Sequence, residues 1–280
     1  MSKSLDLLVL GDSFAQPFID RTQRHYENWY LYLISKLTNT PVKKLNNTKV
    51  IASDNFVSEN AALNGTSLWY SYNQFCEYIE KYEIKNVIFF YTSLSRAPLK
   101  DGDFATKSFQ KPTGLLKSKD EKFIDYWYKL VSISPNFHYE FLPFMVYSIF
   151  NSVEMICKAK NINLIHVLTF YGKSQSTNNI NVSSEFPILT GIQDVSSMES
   201  GNIDDWLGIT QRGEFISGTD DIAYDSRRNH LNDHNNKLLA DTLFDLLEHP
   251  RPTRIDFSTL DIDISKESWM RYHTNLEGHE

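Results

Sequence analysis

Solid apolar runs along the chain alternate with longer stretches at helical spacing. Leu5 to Leu10 is a run dominated by Leu and Val that stops at Gly11, which predicts a buried strand followed by a Gly-Asp-Ser turn. From His25 to Leu37, the residues Trp29, Leu31, Leu33, Ile34 and Leu37 recur at helical spacing and predict the first crossover helix. Phe56 to Leu63 reads as a weaker second strand ended by Asn64-Gly65. Trp69 to Tyr82 has helical periodicity again and leads into a third strand, Asn86 to Tyr91. Arg96 to Lys122 is polar and aperiodic and reads as an excursion of the kind that usually serves a site. A long helix is expected over Phe137 to Ala159, and a fourth strand over Ile162 to Phe170. Residues 171–217 are irregular, with an apolar island at Phe186 to Val195 that predicts a short fifth strand. Asn232 is the expected N-cap of a last helix whose leucines, Leu238 to Leu247, face the core and which Pro250 and Pro252 terminate.

Strands separated by helices at this spacing predict an α/β fold: a three-layer α/β/α sandwich around a mostly parallel sheet. Ligands of such sheets collect at the carboxyl ends of the strands, so the turns after Leu10, Leu63 and Tyr91 are the ones to inspect. One domain is expected over 1–250, with excursions near 96–122 and 171–217 and an appendage at 251–280.

The charge balance, 28 Lys+Arg against 35 Asp+Glu, is mildly acidic, and no basic run interrupts it. That argues against nucleic acid and against an anionic membrane as partners. The two cysteines, Cys76 and Cys157, both sit in stretches of apolar helical spacing, where a thiol behaves as a small hydrophobe; neither a disulfide framework nor a zinc site is expected. Neither a signal peptide nor a transmembrane span is expected, because the apolar run at Leu5 to Leu10 is too short for the one and no later run is long enough for the other.

The turn after the first strand carries Ser13, lifted toward the rim by Gly11. A serine needs a base within hydrogen-bond reach and N–H donors aimed at the developing oxyanion. His230, just before the expected N-cap of the last helix, is the candidate base. Arg96, Arg227 and Arg228 fall on rim loops, where a guanidinium would anchor a carboxylate or phosphate of a substrate or simply face solvent. Trp69, Tyr91 and Tyr171 flank rim turns and are candidates for stacking on sugar rings.

Taken in order, Leu7-Leu8-Val9-Leu10-Gly11-Asp12-Ser13-Phe14, Ala61-Ala62-Leu63-Asn64-Gly65-Thr66-Ser67 and His230-Leu231-Asn232 resemble blocks of the SGNH/GDSL hydrolases, a family of flavodoxin-like esterases and lipases. The resemblance implies Ser13 as nucleophile and oxyanion donor, the Gly65 N–H as a second donor and His230 as general base. It departs from the family at two places. Where the family offers an Asn after the third strand, this chain reads Tyr91-Thr92-Ser93-Leu94-Ser95-Arg96, leaving Thr92 or Ser93 as the substitute donor. This is similar to a divergent branch of the family found in phage and marine microbial genomes. Arg227 occupies the position of the orienting acid, so Asp225 is the nearest replacement. Asp220 and Asp221 are further candidates, and a Ser-His dyad helped by a main-chain carbonyl is the alternative.

The implied function is hydrolysis of a short-chain, acetyl-type ester, on a carbohydrate or another small molecule, through an acyl-enzyme on Ser13. No cofactor or metal is expected, and the expected location is cytoplasmic or virion-associated. The rival reading is a non-catalytic relative of the same fold that serves as an interaction or virion-associated protein.

Overall fold

Strand β1 (Lys3–Leu10) turns Leu7 and Val9 into one hydrophobic layer and Leu8 and Leu10 into the other, and all four are fully buried. A strand that is apolar on both faces must be covered on both. The computed structural model describes residues 3–12, 15, 29–41, 50–53, 55–63, 66–92, 97–99, 121–134, 141–168, 184–190, 233–250 and 254–255. The other strands are β2 (Val50–Ser53), β3 (Phe56–Asn60), β4 (Tyr82–Tyr91), β5 (Asn163–Leu168), β6 (Ile188–Thr190) and β7 (Arg254–Ile255). Together they form one seven-stranded sheet in the order β2-β3-β1-β4-β5-β6-β7. Every neighbouring pair is parallel except β2 with β3.

Helices α1 (Trp29–Thr38) and α5 (Asp233–Glu248) cover one face, where Trp29, Leu33, Leu239 and Leu243 pack on Leu7, Val9, Ile88 and Phe90. Helices α2 (Leu68–Lys81) and α4 (Leu142–Lys160) cover the other, where Phe75, Phe150 and Val153 pack on Leu8, Leu10, Val87 and Phe89. The fold is therefore the expected three-layer α/β/α sandwich. Without the antiparallel β2 and the terminal β7, the parallel strands taken in chain order lie second, first, third, fourth, fifth across the sheet, which is the flavodoxin-like arrangement.

Local chemistry sets the element ends. Ser67 caps α2 by accepting the Tyr70 N–H at 3.2 Å, and the same hydroxyl donates to the Leu99 carbonyl at 3.0 Å. Helices α1 and α4 stop where Asn39 (φ 51°) and Asn161 (φ 56°) turn left-handed. There the Thr40 and Ile162 N–H groups reach back to the Ser35 and Cys157 carbonyls.

The structure differs from the sequence reading at several elements. Strand β2 falls in a stretch to which no element was assigned. Strand β3 ends at Asn60 rather than Leu63, because the Asn60 side chain takes the Ala62 N–H at 3.0 Å. Strand β4 starts at Tyr82, directly after α2, and its first residues, Tyr82 to Ile84, pair with Lys3 to Leu5. A helix not predicted from the sequence, α3 (Glu121–Ile133), buries Ile124 and Trp127 against Ala97, Leu99 and Leu142. Within the stretch read as an appendage, β7 extends the sheet beyond β6. Among the described residues no helix is long and apolar enough to cross a membrane.

Candidate functional site

In this strand order the connections leaving β1 and β4 diverge, which is the position where sheets of this kind bind their ligands. Gly11 follows β1 with φ +148°, and a Cβ there would stand 2.6 Å from the Phe90 Cβ and 2.9 Å from the Ala15 Cβ. Only glycine fits such a position. The next residue, Asp12, is fully buried; its Oδ2 accepts the Thr92 hydroxyl at 2.6 Å and its carbonyl accepts the Ala15 N–H at 3.1 Å. Side chains just past the ends of β1 and β4 thus tie the two exits together.

The chain leaving β3 is stitched to the same place. Asn60, buried at the strand end, donates Nδ2 to the Ala15 carbonyl at 2.7 Å. Beyond it, the Ala61 N–H donates to the Val9 carbonyl at 2.8 Å and the Leu63 N–H to the Gly11 carbonyl at 3.2 Å. On the α1/α5 side, Trp29 stacks on Phe90 with ring centroids 4.9 Å apart and donates its backbone N–H to Asn236 Oδ1 at 3.0 Å. The first turns of α1 and α5 therefore stand side by side at this rim.

On the α2/α4 side lies a buried polar cluster that the sequence reading missed. His166, on β5, is fully buried; its Nδ1 is 2.9 Å from the Tyr91 hydroxyl and its Nε2 is 3.2 Å from Glu154 Oε1. Burial holds the His166 pKa below its usual value, against the opposing pull of Glu154. Burial pushes the Glu154 carboxyl up, but hydrogen bonds from His166 and Ser184 and the charge of Lys158 together outweigh it and leave its pKa low. The signal in the sequence was a lone imidazole inside the apolar run Leu164-Ile165-His166-Val167-Leu168.

Of the predicted site residues, Thr92 is described; it directly follows the last residue of β4. Its hydroxyl donates to Asp12, so its one side-chain proton is directed there rather than toward an oxyanion. Ser13, Gly65, Ser93, Arg96, Asp225, Arg227, Arg228 and His230 lie outside the described residues, as do Asp220, Asp221 and Tyr171. Tyr91 does not fit the sugar-stacking role proposed for it: it is fully buried and bonded to His166. Trp69, 38% exposed in the first turn of α2, keeps an accessible ring.

Both thiols are free, and burial pushes Cys157 up to about 12. Among the described residues no three His, Cys, Asp or Glu side chains group as metal ligands. No protein-family model matches the chain, and no curated protein matches its sequence.

Proposed function

We propose that the protein is a serine esterase that hydrolyses a short-chain, acetyl-type ester at the carboxyl ends of β1 and β4, with Ser13 as nucleophile and His230 as general base. The observation that carries this reading is the turn at Gly11-Asp12. A glycine that no side chain can replace, a buried carboxylate and the exits of β3 and β4 converge on the residue next to Ser13. Such pinning is what a nucleophile on a rim turn requires, since attack depends on a fixed hydroxyl. His230 is three residues before Asp233, where α5 starts beside α1 at the same rim.

In this reading His230 takes the Ser13 proton during attack and returns it to the leaving alkoxide; water then repeats the cycle on the acyl-enzyme. Backbone N–H groups of Ser13 and Gly65, with Ser93, supply the oxyanion donors, and Asp225 orients the imidazole. Arg96 and Arg227 are the candidate anchors for an anionic substrate group.

The non-catalytic reading draws on the Thr92–Asp12 bond, which directs one expected donor away from the oxyanion. Two measurements decide between them. Hydrolysis of a short-chain nitrophenyl ester and labelling by a fluorophosphonate are expected for the intact protein, and both are lost in Ser13→Ala and His230→Ala. Activity unchanged in Ser13→Ala refutes the nucleophile assignment, and no labelling of the intact protein favours the interaction protein.

A further inference from the structure

The cluster around His166 plays no part in that chemistry, yet it ends on β4, one of the two strands where the chain connections diverge. With Glu154 ionised and the imidazole neutral, the state that their shifted pKa values favour, its protons take one arrangement. Ser184 donates to Glu154 Oε1, and the Ser184 oxygen accepts the Phe186 N–H at 2.9 Å. An ionised carboxylate only accepts, so His166 Nε2 carries the proton that points to Glu154. The other nitrogen of a neutral ring then accepts, so Tyr91 donates its hydroxyl proton to Nδ1. Phe150 clamps the ring from one side, with centroids 3.8 Å apart.

Tyr91 is the last residue of β4 and Thr92 is the next. Tyr91 reaches into the α2/α4 layer toward His166, and Thr92 holds Asp12. Two consecutive side chains therefore fix the strand end through different partners. We propose that Tyr91, His166 and Glu154 form a positioning relay that fixes the exit of β4 and, through Thr92 and Asp12, the turn after β1. The rim holds its working geometry while His166 is the neutral Nε2–H tautomer.

Among the described residues, the titratable groups bonded to His166 are Glu154 on α4 and Tyr91 on β4. Glu154 is influenced in turn by Lys158 on α4, which pairs with Glu185 at 2.6 Å. The inference deepens the esterase reading, and only its kinetic readout rests on that reading.

Long-range proton–nitrogen spectra of the labelled full chain report the ring directly. The Nε2–H tautomer is expected at neutral pH, and an Nδ1–H tautomer or an imidazolium there overturns the relay. Tyr91→Phe keeps the ring packing and removes the donor. The Asp12 and Thr92 amide resonances are expected to move, and kcat on a nitrophenyl acetate to fall by up to roughly 100-fold with KM little changed. His166→Gln keeps a donor for Glu154 but offers Tyr91 no ring acceptor, and the same resonances should move. Asp12 and Thr92 signals that stay in place in both variants overturn the relay, whether or not the protein hydrolyses esters. Moved signals in a protein without esterase activity support the relay and count against the esterase reading.

Discussion

Gly11→Ala is the sharpest test of the rim geometry. The added methyl would sit 2.6 Å from the Phe90 Cβ, whereas unstrained carbons stand about 3.5–4.0 Å apart. Phe90 has nowhere to retreat: it is fully buried on β4, between β1 and β5, with the Trp29 ring stacked against it. Overpacking of this kind costs about 1–3 kcal/mol. The backbone adds to it, because an L side chain at φ +148° occupies a sparsely populated region at about 1–3 kcal/mol. The sum, about 2–6 kcal/mol, is a large part of a domain's total of about 5–15 kcal/mol. It corresponds to a fall in Tm of roughly 5–20 °C. Urea unfolding followed by tryptophan fluorescence measures it. Adding Ala15→Gly removes the 2.9 Å contact but leaves the one with Phe90, so recovery should be partial. A loss below about 1 kcal/mol in the single variant would refute the argument that this turn is closed to side chains.

Other substitutions test neighbouring parts of the rim and core. Asn60→Ala leaves the Ala15 carbonyl and the Ala62 N–H without their partner, and at about 1–3 kcal/mol each the expected loss in denaturant titration is about 2–6 kcal/mol. Thr92→Val removes the hydroxyl bond to a buried carboxylate and should cost about 1.5–3 kcal/mol, while Thr92→Ser should recover most of it; equal losses in both would point to packing instead. Stability should fall with acid. His166 is held below its unfolded value of 6.5, so the unfolded chain takes up a proton that the folded chain resists. That contribution is complete above the unfolded pKa and is lost as pH falls through the folded one; the low Glu154 pKa extends the loss to lower pH. Urea midpoints between about pH 7 and pH 5 should drop in the intact protein and flatten in His166→Gln. A native-state thiol titration should leave Cys157 unreacted, since burial raises its pKa and closes access.

What could be read from the sequence depended on how cleanly one period dominated. β1, β5 and the inner part of β4 are buried on both faces, so their apolar runs announced them. α3 did leave a signal, since Phe123, Ile124, Trp127, Leu130 and Val131 recur at helical spacing, but it follows directly on the polar excursion and only Ile124 and Trp127 among its described residues are buried. β2 is four residues long and pairs only along its β3 edge, too little for a pattern. At the site, Gly11 was legible because its turn needs a glycine. Asn60, His166 and the bond of Thr92 to Asp12 were not: each joins a buried polar side chain to a partner far away in sequence, 45, 75 and 80 residues respectively.

The bond between the Trp29 N–H and Asn236 spans 207 residues. During synthesis, at about 5–20 residues per second, that donor has no chance of its final acceptor for roughly 10–40 s after leaving the ribosome. Leu239, Leu243 and Leu246, which complete the same layer, arrive later still. The part of that face which α5 covers, beside α1, therefore stays open until those leucines have been made, and over that interval the nascent chain offers chaperones an apolar surface.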